Sequence, residues 1–271
     1  MGRIEEALKK AEELRLKKIE APARGKQNQA GRPAVSCQSP GDISATALDN
    51  ASPLIVALKE CHSPAAEEYK KLRTAVLKQM AGNTEKVLLI TSPENGNGKS
   101  CTSANLAVSF AALGQEPVLL VDADLRRPSV HKYFGIDPAN GLSEYLSGKT
   151  GTQEIIRPSG IGALFIITAG TPPKNPSEML SSERMRHFIS GLKAGHRGAM
   201  IIFDSPPLLN AVDSIVLAQQ TDGILLVIEA ARTRPDAVKR SLGLLKGLPL
   251  IGAVFNNVPE YLSKTLHPYY Y

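Results

Sequence analysis

Val87-Leu-Leu-Ile-Thr-Ser-Pro-Glu-Asn-Gly-Asn-Gly-Lys-Ser100 decides the fold. It begins as a short apolar run, VLLIT, of the kind found in strands buried on both faces. The run breaks at Pro93, passes two glycines at 96 and 98, and restarts with helical periodicity that extends to about residue 113. Glycines at those positions let successive backbone N–H groups converge on phosphate oxygens, and the helix N-terminus adds its partial positive charge. Lys99 then reaches the outer phosphates, and the Ser100 hydroxyl suits Mg²⁺. Glu94, Asn95, Gly96, Asn97, Gly98, Lys99, Ser100 and Cys101 therefore form the expected nucleotide cradle. Pro93 stands where the pattern G-x-x-x-x-G-K-[ST] usually has its first glycine. A dinucleotide loop is excluded, because Cys101 occupies its third glycine position. Cys101 itself has two readings: a thiol whose pKa the helix N-terminus lowers, or a small packing residue.

Outward from this loop, the same alternation repeats. Apolar runs at 117–122, 164–168, 199–204, 223–228 and 250–255 are separated by helical stretches near 177–193 and 235–246. Strands of this composition between helices predict an α/β chain of P-loop NTPase type, with a mostly parallel sheet and helices on both faces. Ligands of such folds bind at the carboxyl ends of strands. Upstream, Leu54–Leu58 reads as a short strand, and Ser63-Pro64 opens a helix to about Met80, with serine as N-cap and proline at the first helical position.

Two acidic boxes lie at predicted strand ends. The run 118–122 leads into Asp122-Ala-Asp-Leu-Arg-Arg-Pro128, and the run 199–204 closes on Asp204-Ser-Pro-Pro207. Mg²⁺ takes one or two carboxylates besides waters and phosphate oxygens, so Ser100, Asp122 and Asp204 are the candidate metal ligands. Asp124 is placed to orient or deprotonate an incoming hydroxyl, and Arg126 to offset developing charge, since phosphoryl transfer asks for positioning and charge neutralisation. Strand-end aspartates that merely cap turns are the competing explanation. Neither the His-Arg-Asp nor the Asp-Phe-Gly signature of protein kinases occurs, and Thr221-Asp222-Gly223 reads as a turn.

The chain ends carry different signals. Residues 1–20 include Ile4, Leu8, Ala11, Leu14 and Ile19 among charged side chains, an amphipathic helix either for a partner, another copy or a membrane surface, or packed as an ordinary solvated helix on its own domain. Residues 21–52, rich in Pro, Gly, Gln and Ser, read as a disordered linker. The body is expected over 53–258 and a tyrosine-rich tail over 259–271, where Tyr261, Tyr269, Tyr270 and Tyr271 hold four of the seven tyrosines. A terminus buries little, so these phenols read as phosphate acceptors rather than packing groups. From Val258 the remaining 13 residues span up to about 45 Å when extended, enough to reach a neighbouring subunit.

Composition bounds the rest. The 271 residues are 42% hydrophobic, enough for one core, and carry a net charge of +6. That charge suits an acidic surface. Absence of Trp, and of aromatics interleaved with basic residues, argues against nucleic acid. No run approaches a membrane span, and MGRIEEALKK is not a signal peptide. Cys37, Cys61 and Cys101 have neither zinc nor disulfide spacing, which fits a reducing cytoplasm.

ITSPENGNGKS (90–100), VLLVDADLRRP (118–128), IIFDSPP (201–207), SPAAEEYKKLRT (63–74), NPSEML (175–180), DGILLVIEA (222–230) and the tyrosine tail together resemble the bacterial protein-tyrosine kinases of polysaccharide synthesis and export. The resemblance covers roughly 53–271, and the leader GRIEEALKKAEEL is similar to that of cytoplasmic members. It implies ATP and Mg²⁺ as cofactors and transfer of the γ-phosphate to tail tyrosines, commonly on a neighbouring subunit. It also implies an integral-membrane chain-length determinant or co-polymerase as activator, with the chain at the inner face of the plasma membrane through that partner. It assigns Glu67, Lys70 and Arg73 to oligomerisation, with Lys70 replacing the family's middle arginine and unable to form its bidentate fork. Asn256 falls where related ATPases hold adenine. The alternative is a regulatory switch like the partition and division-site ATPases, whose signature lysine is Glu94 here.

Overall fold

The computed structural model describes residues 43–83, 86–196 and 198–259. The helix expected over 1–20, the linker as far as residue 42, and Tyr261, Tyr269, Tyr270 and Tyr271 lie outside the described residues. Three helices open the described chain: α1 (Ala45–Asn50), α2 (Val56–Lys59) and α3 (Pro64–Gln79). The alternation follows with β1 (Lys86–Thr91), α4 (Lys99–Ala111) and β2 (Val118–Asp122), then three short helices, α5 (Val130–Phe134), α6 (Leu142–Leu146) and α7 (Thr152–Ile155). Next come β3 (Arg157–Pro158), β4 (Leu164–Ile167), α8 (Pro176–Leu180), α9 (Glu183–Gly195) and β5 (Met200–Asp204). The order closes with α10 (Asp213–Ala218), β6 (Gly223–Glu229), α11 (Pro235–Leu244) and β7 (Leu250–Asn256).

The sheet runs β3-β4-β2-β5-β1-β6-β7. Every pairing is parallel except that of β3, a two-residue strand antiparallel to β4. Successive strand side chains point to opposite faces. Leu88 and Ile90 of β1, Leu120 of β2 and Ile202 of β5 join one cluster with Val76 of α3 and Ala104, Ala107 and Val108 of α4. Their neighbours Leu89, Leu119, Val121 and Phe203 point the other way and are equally buried. The apolar runs are continuous because both faces are covered.

Three expectations are corrected. Leu54–Leu58 is not a strand: its C-terminal half is the single turn α2, and the Leu54 carbonyl accepts from Asn105 Nδ2 of α4 at 2.9 Å. A short apolar run carries no period that separates strand from helix, and packing on α4 decides. The expected linker is ordered before its limit at Ser52. Ile43 bridges Ile161, and Ser44 caps α1 by accepting from the Ala47 N–H at 3.1 Å. The stretch expected as one helix near 177–193 is two, divided at Ser181-Ser182, where Ser182 caps α9 through the Met185 N–H.

By contrast, α3 begins as its sequence indicates, with the Ser63 hydroxyl accepting from Ala66 N and Pro64 in the first turn. Asp222 is structural, as its turn reading implies. It accepts from the Val87 N–H at 2.9 Å and from Lys193 at 3.1 Å, tying β6 to β1 and α9.

Candidate active site

Parallel register builds the site before any side-chain preference acts. Asp122 ends β2 and Asp204 ends β5, and the two are direct register partners on adjacent strands. Ile90, one residue before the end of β1, pairs with Asp204 from the other side. One sheet end therefore gathers both acidic boxes and the glycine loop.

The loop is held from three directions. Asn97 is buried, and its Oδ1 accepts from the Glu94 N–H at 3.0 Å, closing the turn. Its Nδ2 donates to Thr233 Oγ1 at 3.0 Å, beyond β6, and its carbonyl accepts from Asn256 Nδ2 at 3.2 Å, from β7. Thr91 Oγ1 donates to the Pro206 carbonyl at 2.9 Å, joining the loop's entry to the Asp204 box. Gly96 and Gly98 both sit at φ +86°, where a side chain is strained. At Gly98 a Cβ would also meet Asn256 Nδ2 at 1.9 Å, so β7 approaches the loop too closely for any other residue.

Three carboxylates and one ammonium occupy the centre. Lys99 Nζ lies 3.0 Å from Asp124 Oδ2, with the two side chains only 12% and 2% exposed. Burial works against the Lys99 charge, but Asp204, Asp124 and Asp122 outweigh it and hold its pKa above the ordinary lysine value. Burial raises the Asp122 carboxyl to about 8, helped by Asp204 and opposed by the N–H groups of Val130 and Ser129. Asp204 is likewise raised by burial, against the pull of Lys99 and the Ser100 hydroxyl.

The carboxylates are not equivalent. Asp122 accepts from the N–H groups of Asp124 at 3.2 Å and of Ser129 and Val130 at 3.0 Å, so it organises the turn into α5. Asp124 Oδ1 accepts from Arg127 N at 3.0 Å, leaving Oδ2 to Lys99. Ser103 Oγ lies 3.1 Å from Asp204 Oδ1, whereas Asp204 Oδ2 is buried without a hydrogen-bond partner. An orphaned buried carboxylate oxygen beside a serine hydroxyl is the donor set of a hard cation. Ser100 and Asp204 thus fit Mg²⁺, while the Asp122 oxygens accept from backbone N–H groups. Among the described residues no group of three or more His, Cys, Asp or Glu gathers as a metal site, so phosphate oxygens and water would complete the shell.

No family profile matches the chain. Tyrosine-protein kinase YwqD of Bacillus subtilis is 36% identical over 220 residues, covering 80% of this chain and 90% of that protein. The chain belongs to the bacterial tyrosine-protein kinases. Putative tyrosine-protein kinase CapB of Staphylococcus aureus is 34% identical and covered to 95%. Tyrosine-protein kinase etk of Escherichia coli K12 is 35% identical over 196 residues, and there the chain spans only 27% of the longer relative. The solved kinase domain of Escherichia coli ETK superposes with a TM-score of 0.73 at 29% identity, over 87% of this chain and 96% of that domain. The cell division ATPase MinD of Pyrococcus furiosus, at TM-score 0.53 and 23% identity, shares the fold alone.

Other residues named from the sequence take definite places. Arg126 Nε donates to Asp213 Oδ2 at 2.9 Å and Nη2 to Ser177 Oγ at 2.7 Å. Cys101 contradicts the lowered-pKa reading: burial pushes its thiol up, and Sγ packs against the Leu54 carbonyl and Asn105. Asn256 braces the loop as described. Lys70 Nζ meets Glu67 Oε1 at 2.6 Å on the exposed side of α3, whereas Arg73 turns inward and donates to the Ser109 carbonyl. Ser103, Thr233, Asp213 and Ser177 escaped sequence reasoning. Two left a signal: Ser103 lies one helical turn beyond Lys99 on the same face, and Ser177 lies within the NPSEML motif.

Proposed function

We propose that this kinase transfers the γ-phosphate of ATP to tyrosines of its own C-terminal segment, with Tyr269, Tyr270 and Tyr271 as acceptors and Tyr261 as a further one. The observation that carries the reading is the Lys99–Asp124 contact of 3.0 Å inside the glycine-loop pocket. Lys99 is the cation an ATP phosphate needs, and while it rests on Asp124 it occupies the carboxylate best placed as base. Nucleotide binding offers Lys99 phosphate oxygens instead and so releases Asp124. The freed carboxylate accepts the phenol proton as the tyrosine oxygen bonds to the γ-phosphorus and the bond to the ADP oxygen breaks. Loop N–H groups and the α4 N-terminus hold the departing charge. Mg²⁺, when bound at Ser100 and Asp204, would neutralise phosphate charge. Asp122 keeps the turn that presents Asp124, and Arg126 meets charge on the acceptor side.

Relatives named as tyrosine kinases support this activity, and the tail is long enough when extended to reach a neighbour's pocket. Each phosphate adds about −1.5 to −2 charge, so four add roughly −6 to −8 against a net +6. Phosphorylation therefore loosens contacts that depend on positive charge: self-association at Glu67, Lys70 and Arg73, and docking on a membrane partner. That partner is of the chain-length or co-polymerase class, which puts the kinase at the inner membrane face and in control of exopolysaccharide export. Among the described residues no helix is long and apolar enough to cross a membrane.

Incubation of the full chain with Mg-ATP followed by intact-mass measurement tests the proposal. Mass steps of about 80 Da per phosphate, lost in Lys99→Met and in a variant with all four tail tyrosines changed to Phe, are expected. ATP turnover without any mass gain refutes it and leaves a nucleotide-driven binding switch.

A further inference from the structure

Arg126 joins the Asp122 acidic box to two elements distant in the chain. It follows β2, three residues beyond Ala123, and reaches two distant segments: Asp213, first residue of α10, and Ser177 in the first turn of α8. Asp213 is fully buried and Arg126 is 43% exposed. The arginine thus comes to the aspartate, and its side chain remains partly exposed. A guanidinium has five N–H donors in a fixed plane. Asp213 takes the Nε–H and Ser177 one Nη2–H, so two anchors fix both the plane and its rotation. The fork that remains, the other Nη2–H and the Nη1 pair, suits an oxyanion.

Burying Asp213 is costly unless something requires it. Its Oδ2 is satisfied by Arg126, but Oδ1 is buried without a hydrogen-bond partner. A residue serving only as an α10 N-terminal acid would face solvent and keep both oxygens hydrated. Asp213 is also coupled to the core, since α10 packs on β1 and on α8. The aspartate therefore has a rigid seat, and the arginine takes its orientation from that seat.

We propose that Asp213, assisted by Ser177, is a positioning residue for phosphoryl transfer: it clamps Arg126 so that the free guanidinium fork faces the phosphate being transferred to the tyrosine. This rests on the kinase reading above, in which Arg126 offsets developing charge. It gives the NPSEML segment a task, delivery of the Ser177 hydroxyl, and makes Asp213 part of the reaction without touching substrate. A misplacement of about 1 Å in a charge-stabilising group costs on the order of 10²-fold in rate.

A double-mutant cycle on the full chain, read by intact mass over time with Mg-ATP, decides it. Asp213→Asn alone slows phosphate incorporation about 10–10²-fold, and Ser177→Ala slows it less, while binding of a fluorescent ATP analogue stays within about twofold because the loop contacts are untouched. Arg126→Ala slows the reaction at least as much, and adding Asp213→Asn to it changes nothing further. Equal losses from Asp213→Asn with and without Arg126 refute the clamp, as does a loss confined to nucleotide affinity. If Asp213→Asn fails to fold, the Ser177→Ala and Arg126→Ala cycle tests the same coupling by the same criterion. An unaltered rate in Arg126→Ala also refutes the proposal. Wild-type ATP turnover without mass gain refutes the kinase reading instead, and the same cycle read on turnover still tests the clamp.

Discussion

Gly98→Ala probes the contact that joins the phosphate loop to the far edge of the sheet. The added Cβ would sit 1.9 Å from Asn256 Nδ2 and 3.0 Å from its Cγ, so the amide must move. It then loses its 3.2 Å bond to the Asn97 carbonyl, worth about 0.5–1.5 kcal/mol. Alanine at φ +86° adds strain of about 1–2 kcal/mol. The two together predict a loss of about 1.5–3.5 kcal/mol. In an Asn256→Ala background the clash and the amide bond are already gone, and Gly98→Ala there costs only the strain. Urea unfolding of the four proteins without nucleotide, with slopes compared to confirm two-state behaviour, measures both values. Equal costs in the two backgrounds would show that backbone conformation alone demands the glycine, and the close approach of β7 would be irrelevant.

Three further outcomes follow from the charges and anchors. Asp122 has a pKa near 8 when folded against an ordinary 3.8, so in that window the folded chain holds a proton the unfolded chain has lost. Stability in chelator therefore falls as pH rises across it, and Asp122→Asn flattens the fall of the urea midpoint. Lys99→Met leaves three buried carboxylates without their cation and costs about 3–5 kcal/mol, most at the alkaline end where protonation cannot compensate; thermal melts across pH check this. Arg73→Ala removes its bonds to Ser109 between α3 and α4 and costs about 1–3 kcal/mol, whereas Lys70→Ala, on an exposed pair, leaves the melting midpoint unchanged. A larger effect at Lys70 than at Arg73 would reverse the assignment of which residue holds the helices together.

The parallel sheet was legible because β1, β2, β5 and β6 are buried on both faces, and burial of that kind leaves an apolar run with no other explanation. The start of α3 was legible because its cap is local: Ser63 and Pro64 act on the next three residues. Leu54–Leu58 was misread for the opposite reason. Its conformation depends on Asn105, about fifty residues away, and five apolar residues carry no period of their own. The single helix expected near 177–193 failed at Ser181-Ser182, where a new cap interrupts an otherwise helical pattern. Cys101 was ambiguous because a helix N-terminus lowers a thiol pKa while burial raises it, and only packing against Leu54 and Asn105 settles the balance.

Residue order alone sets the chemistry of the site: a glycine loop with Lys99 and Ser100, and carboxylates at the ends of apolar strands, since loop conformation and strand ends are local consequences of residue type. How those groups divide the work depends on tertiary packing. Strand order puts β5 between β2 and β1, and register sets Asp204 beside Asp122. Backbone N–H groups then claim Asp122, and a buried oxygen stays open on Asp204. Nothing near Arg126 in the chain announces Asp213 or Ser177; only the packing of α10 against α8 and β1 brings them to it. Local physics names the reactive groups, and long-range packing assigns their partners.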